Sequence, residues 1–484
     1  MILALDQGTT GSTALVFDGE GRIAGRAYSE FPQHFPRPGW VEHDANDIWD
    51  VTRRVGRRAL DAAGIDGRGL AAIGITNQRE TVVAWDPSSG EPLHRALVWQ
   101  DRRTAARCDE LRAAGHEPLI RERTGLVLDP YFSGTKIEWL IREGGVDPRR
   151  AAFGTVDSWL VHKLTGAHLT DYSNASRTLL FDIRELAWDD ELCGLLGVPS
   201  DALPEPCPSS HVFGETTEFG GSVPVAGIAG DQQAALYGQG CHTPGLGKNT
   251  YGTGSFVLEN AGGECPAPQE GLLTTVAWGV DGRVDYALEA AIFVTGAAVQ
   301  WLRDALGVID TAAETEELAR SLDSNDGVYL VPAFTGLGSP HWDPYARGTI
   351  VGLTRGTGRA HLARATLESI AYQTADAVHA MEQASGVELK ELKADGGAVH
   401  NAWLMKFQAD VLGVPVVVPE ISETTALGAA YLAGVTVGTW TEPDVRSMWR
   451  EAARYEPRMS ESRRDALLAD WRRALDRSRG WVAE

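Results

Sequence analysis

Apolar residues fill positions 3–5 and 14–17 and flank a stretch rich in Gly and Thr, Gln7-Gly8-Thr9-Thr10-Gly11-Ser12. This pattern predicts two short strands joined by a tight turn. Small side chains there let an anion reach backbone N–H groups, and Asp6, at the end of the first strand, stands where a carboxylate could hold Mg²⁺ against that anion. An ordinary polar hairpin has the same composition, and these residues alone leave both readings open. Residues 22–30 predict a third strand, and Asp44-Ala45-Asn46-Asp47 offers caps for a helix reaching about Ala63. A buried-strand pattern over 70–75 ends in Thr76-Asn77-Gln78-Arg79-Glu80-Thr81, and another strand follows over 82–85. Open α/β sheets bind ligands at the mouths of such strands, although Arg79-Glu80 also fits a solvated turn pair.

The same grammar recurs along the chain. Residues 97–99 form a short strand ending at Trp99, a core aromatic or a ligand wall, beside Gln100-Asp101-Arg102-Arg103. Asp129-Pro130-Tyr131-Phe132-Ser133-Gly134-Thr135-Lys136 leads into a helix carrying Trp139. The strand pattern of residues 223–230 ends at Asp231-Gln232-Gln233, where Asp231 is either a ligand-facing carboxylate or a helix N-cap. Residues 241–247 read as a linker, after which Asn249-Thr250-Tyr251-Gly252-Thr253-Gly254-Ser255-Phe256-Val257-Leu258 repeats the opening hairpin. Two domains of related plan, 1–240 and 241–484, would then face each other across a cleft, each supplying one phosphate-handling turn.

In the second half, residues 295–305 predict a helix and 326–334 a strand. Residues 362–385 predict a helix whose apolar spacing marks a contact between the domains. A strand over 389–394 runs into Asp395-Gly396-Gly397-Ala398-Val399-His400-Asn401, a Gly turn that lets a flat or anionic ligand approach the backbone. Residues 426–433 form a small-residue helix suited to tight packing, and 460–481 a terminal helix facing solvent.

At 484 residues with 43% hydrophobic and 23% charged positions, the chain has the make-up of a two-domain globular protein. Its net charge of −22 excludes nucleic acid and anionic lipid surfaces as long-range partners. Five widely spaced cysteines without a C-x-x-C pair predict reduced thiols. With neither a leader pattern nor an apolar run near the roughly 18 residues that span a bilayer, a cytoplasmic protein with no membrane insertion is expected. Gly247-Lys248 is followed by Asn249 rather than Ser or Thr, so it is no Walker A end, and no G-x-G-x-x-G follows the first strand. Use of ATP would have to rest on separated Gly/Thr turns.

Asp6-Gln7-Gly8-Thr9-Thr10, Asn77-Gln78-Arg79-Glu80, Trp99-Gln100, the 129–136 segment, Gly230-Asp231-Gln232-Gln233, Asn249 to Gly254 and Asp395-Gly396-Gly397-Ala398 together resemble the FGGY carbohydrate kinases, and among them the glycerol branch, over residues 2–440. The resemblance implies an α/β fold of two actin-like (ribonuclease-H-like) domains flanking an ATP/substrate cleft, a homodimer or tetramer, and ATP-dependent phosphorylation of glycerol to sn-glycerol 3-phosphate. By matching position, it puts the glycerol hydroxyls on Arg79, Glu80, Asp231 and Gln232, walls the carbon side with Trp99, Tyr131 and Phe256, and makes Asp231 the general base. It puts the terminal phosphates on Thr9, Thr10 and Gly11, with Thr253 reaching them from the other domain. It leaves the rest of ATP to Gly296, Gln300, Gly397 and Asn401, and Mg²⁺ to Asp6.

Two departures bear on expectation. Thr13 stands where the branch usually carries an Arg, so weaker use of ATP is expected. The loop 215–222 lacks the Arg and the His through which some members are controlled, so no control by fructose 1,6-bisphosphate is expected there. The rival readings are the same chemistry on another polyol or sugar, an actin-like ATPase acting on protein, and a catalytically weak glycerol sensor. Acceptor-dependent ADP release discriminates among them.

Overall fold

A computed structural model describes residues 1–482. The opening hairpin is β1 (Ile2–Gln7) and β2 (Gly11–Phe17), followed by β3 (Ile23–Glu30) and helix α1 (Ala45–Ala63). The turn is narrower than the composition predicts: only Gly8, Thr9 and Thr10 lie outside the strands, and Gly11 already pairs with Glu30. A Cβ at Gly11 would run into the Tyr28 hydroxyl and the Ser29 carbonyl, so glycine is needed there for close strand packing. Asp44 caps α1 by accepting from the Asn46 N–H at 2.9 Å, and Gly64 ends the helix in the left-handed region (φ 70°).

Strand β4 (Ala72–Asn77), helix α2 (Ser133–Arg142), strands β5 (Ser210–Thr216) and β6 (Val223–Gly230), and helix α3 (Asp231–Gly238) follow in the first half, among further helices and a separate five-stranded sheet. The sheet order is β5-β6-β4-β1-β2-β3, with β1 parallel to β4, β4 parallel to β6, and β1, β2 and β3 antiparallel. Asp231 is the first residue of α3 rather than its cap, which is Gly230.

The second half repeats the plan. Strands β7 (Leu246–Tyr251), β8 (Ser255–Gly262), β9 (Leu273–Val280), β10 (Arg283–Ile292), β11 (Glu391–Gly396), β12 (Val416–Pro419) and β13 (Glu451–Tyr455) form one sheet in the order β9-β10-β8-β7-β11-β12-β13. Here β7, β8 and β10 are antiparallel, while β7, β11 and β12 are parallel, matching β1-β2-β3 and β1-β4-β6 of the first sheet. Its helices include α4 (Gly296–Asp304), α5 (Arg359–Ser385), α6 (Ala402–Leu412), α7 (Thr424–Thr436) and α8 (Glu461–Asp476).

Three expectations change. The predicted strand over 326–334 is ordered as strand only at Tyr329–Val331. Helix α5 does not bridge the domains: Leu367, Ile370, Ala371 and Tyr372 belong to the core of the second half with Leu404 and Leu392. A bridging element is α7, whose Ala430 and Ala433 pack with Ile2, Ala4 and Ala229 of the first sheet. Glycines permit that approach, because a Cβ at Gly74 would overlap the Ala429 carbonyl and one at Gly428 the Ala234 carbonyl. The third change is α8. It is docked rather than solvent-facing on all sides, with fully buried Trp471 stacked on Tyr372 at 5.3 Å and donating Nε1–H to Asp376 at 2.7 Å.

Candidate functional site

A buried charge network joins the two halves. Arg79, just beyond β4, grips Glu289 of β10 with two hydrogen bonds, at 2.6 and 3.1 Å. Arg177 donates Nη2–H to the same Glu289 at 3.0 Å and Nε–H to Glu80 at 2.7 Å. Arg79 Nε lies 3.2 Å from Asp231. Two guanidiniums and three carboxylates therefore alternate, which is how charge survives burial. Burial pushes Glu289 up, but Arg177 and Arg79 outweigh it and hold the group at about 2. Burial raises Glu80 and Asp231, with Arg177 and Arg79 opposing the shift at Glu80, and Arg79 and Lys248 opposing it at Asp231. The alternative of a solvated Arg79-Glu80 pair is overturned, since both side chains are buried. Glu80 also adopts a left-handed backbone (φ 62°), and its carbonyl accepts from the Ser133 hydroxyl of α2 at 3.0 Å. Non-glycine residues held there cost roughly 1–3 kcal/mol and gather at functional sites.

Arg177 and Glu289 are members of this network that sequence reading passed over. Neither sits in a Gly-rich turn or a motif, and each becomes visible only through a partner about a hundred or more positions away.

The remaining acceptor-side candidates surround this network. Half-buried Trp99 stands edge-on to Tyr131 at 5.6 Å, and Arg177 lies over the Tyr131 ring at 5.6 Å. Lys136 fixes the Tyr131 loop, donating to the carbonyls of Pro130, Tyr131 and Phe132 at 2.5, 2.7 and 3.2 Å. Phe256 pairs with Thr250 and Ala291, one row from Glu289 on the same face of the second sheet. Gln232 follows Asp231 and donates its backbone N–H to the Asp231 carboxylate at 2.7 Å.

Among the residues expected to hold phosphates, the Thr9 hydroxyl accepts the Trp99 indole N–H at 2.9 Å, which leaves its own proton free to donate. Thr10 is exposed at the turn and Gly11 buried at its edge. Asp6 has no hydrogen-bond partner among the described residues, and burial, reinforced by Asp231, raises it to about 7. An unpaired carboxylate beside a second one suits a hard divalent cation that takes one or two carboxylates and keeps its other positions for phosphate and water.

Thr253, Gly296, Gln300, Gly397 and Asn401 line one cavity of about 440 Å³, with Leu367, Ile370 and Leu404 as an apolar wall. That volume and lining fit a small planar ligand. The β7–β8 turn is tied to α4, whose Gly296 and Ala297 N–H groups donate to the Gly252 and Thr253 carbonyls at 3.1 and 3.0 Å. A Cβ at Gly296 would collide with the Gly252 carbonyl. Asn401 caps α6, accepting from the Leu404 N–H at 2.9 Å. The five cysteines are free, and no described helix is long and apolar enough to cross a membrane.

Residues 1–238 match the N-terminal domain, and residues 247–437 the C-terminal domain, of the FGGY family of carbohydrate kinases. The chain is 57% identical to the glycerol kinase of Deinococcus radiodurans, covering 99% of this chain and 98% of that protein. It is 55% identical to glycerol kinase 2 of Thermotoga maritima, with 99% of each covered. Among solved structures it is similar to Plasmodium falciparum glycerol kinase with ADP, at a TM-score of 0.94 and 34% identity, covering 99% and 98% of the two chains.

Proposed function

The chain belongs to the FGGY family of carbohydrate kinases, and from that premise we propose that it transfers the γ-phosphoryl group of ATP to glycerol, giving sn-glycerol 3-phosphate. The observation that carries the reading is the juxtaposition of Arg79, Glu80, Asp231 and Gln232, in a chain whose second half holds a cavity of about 440 Å³ lined by Thr253, Gly296 and Asn401. Arg79 and the Gln232 amide donate to hydroxyl oxygens, whereas Glu80 and Asp231 accept hydroxyl protons, the pairwise complement a small triol needs. Trp99, Tyr131 and Phe256 limit the length of the acceptor and exclude water that would compete for the phosphoryl group.

Asp231 takes the proton of the attacking hydroxyl, and burial, by raising its affinity for protons, improves it as a base. The remaining demands of phosphoryl transfer are positioning and charge neutralisation. Thr9, Thr10 and Gly11 serve the terminal phosphates from one side and Thr253 from the other, while Gly296, Gln300, Gly397 and Asn401 hold the rest of ATP. Asp6 would hold Mg²⁺, which when bound offsets charge on the phosphates. The division near residue 240, a homodimer or tetramer, and a cytoplasmic location belong to the same reading, the last supported by the five free thiols.

The test is ADP release from ATP and Mg²⁺ with a panel of C3 to C6 polyols and ketoses. Release with glycerol, reduced about 10²–10⁴-fold in Asp231→Asn, is the expected result. Preference for another acceptor would discard glycerol and keep the chemistry. ATP turnover independent of any acceptor would overturn the kinase reading.

A further inference from the structure

Lys248 is fully buried on β7, in a row with Leu258 of β8 and Glu289 of β10 that crosses three adjacent strands. Its ammonium donates to the side-chain oxygen of Gln232, across the boundary between the halves, and to the Thr250 hydroxyl at 2.9 Å. An ammonium has donors and no acceptor, so only the amide oxygen can face it. The Gln232 NH₂ is thereby turned away from Lys248, and it has no partner among the described residues. Burial lowers Lys248 to about 8 against the attraction of Asp395, Asp231 and Glu289, which leaves it cationic at neutral pH.

We infer that Lys248 is a positioning residue for the acceptor site, fixing the Gln232 amide so that its NH₂ meets a substrate hydroxyl. The inference rests on the proposed binding of glycerol at Arg79, Glu80, Asp231 and Gln232. With the amide reversed, the site would present three acceptor groups and one donor group to the triol; with Lys248 in place it presents two of each. Lys248 is on the strand that enters the Gly252-Thr253 turn, so the half that carries the nucleotide cavity sets the polarity of the acceptor site in the other half.

Steady-state kinetics of the full chain with Lys248→Met, Gln232→Ala and the double variant test this. Lys248→Met keeps the stem and removes the donors. It should raise the glycerol KM at least fivefold with less than a twofold change in the ATP KM, and the double variant should be no worse than Gln232→Ala alone. An unchanged glycerol KM, an equal rise in both KM values, or additive effects in the double variant would overturn it. Gln232→Glu covers a folding failure of Lys248→Met, because its carboxylate keeps the ammonium paired while the NH₂ is lost. It should raise the glycerol KM as much as Gln232→Ala does, and a wild-type KM would overturn the inference. Glycerol-dependent ADP release by the unaltered chain separates the two levels: its absence defeats the acceptor reading and this inference together, and its presence leaves the Lys248 result to decide alone.

Discussion

Glu289 holds two buried arginines that would otherwise repel each other. Glu289→Gln should therefore lower unfolding stability by about 3 kcal/mol, the scale for breaking a buried pair, and raise the glycerol KM by loosening Arg79. Denaturant midpoints and kinetics check both, and a variant unchanged in each would refute the role given to Glu289. Thr13 lies directly across β1–β2 from Asp6, so the carboxylate has no basic neighbour on that strand. Thr13→Arg should lower the ATP KM several-fold; unchanged ATP KM and kcat would show that the cation is dispensable. Glu259 is buried on β8 with both carboxylate oxygens unpartnered among the described residues, and burial, reinforced by Glu382, raises it to about 8. A carboxyl group raised in the folded state contributes stability that is complete below its unfolded value near 4.5 and is lost as pH rises through about 8. Calorimetry at pH 5, 7 and 9 should show Tm falling with pH in the natural chain and falling less in Glu259→Gln. Equal slopes would contradict this.

At the scale of elements, the halves are joined by α7 lying on the first sheet and against α3. The small residues that make α7 legible as a tightly packed helix name no partner for it. Gly428→Ala places a Cβ against the Ala234 carbonyl of α3, and overpacking there should cost about 2 kcal/mol or more. A Tm within 1 °C or so of the parent would show that the crossing can relax. Helix α5 was legible as a helix and misassigned as a bridge, because periodicity reports that a face is buried and not which surface covers it.

The whole molecule is organised around two large sheets of one plan, and the buried charge network and its neighbours draw residues from both halves. Arg79 and Asp231 come from the first half, and Glu289 and Phe256 from the second. Heat should therefore unfold the chain in a single transition that glycerol alone moves upward, by about 2.7 kcal/mol of stability at a hundred times its Kd. Two transitions, only one of them moved, would mean that the halves are energetically separate. The strands, the two Gly/Thr turns, the α1 caps and the carboxylate at the end of β6 were written in the sequence itself, because each depends on neighbours a few residues away. The first hairpin's return after Cys241 was enough to predict a second domain of the same plan. Only the tertiary structure decided that Arg79 and Glu80 are buried, that Arg177 and Glu289 orient them, and that Lys248 turns Gln232. Those partners stand up to 210 positions apart, and strand register and helix docking, which no local pattern encodes, bring their charges into contact.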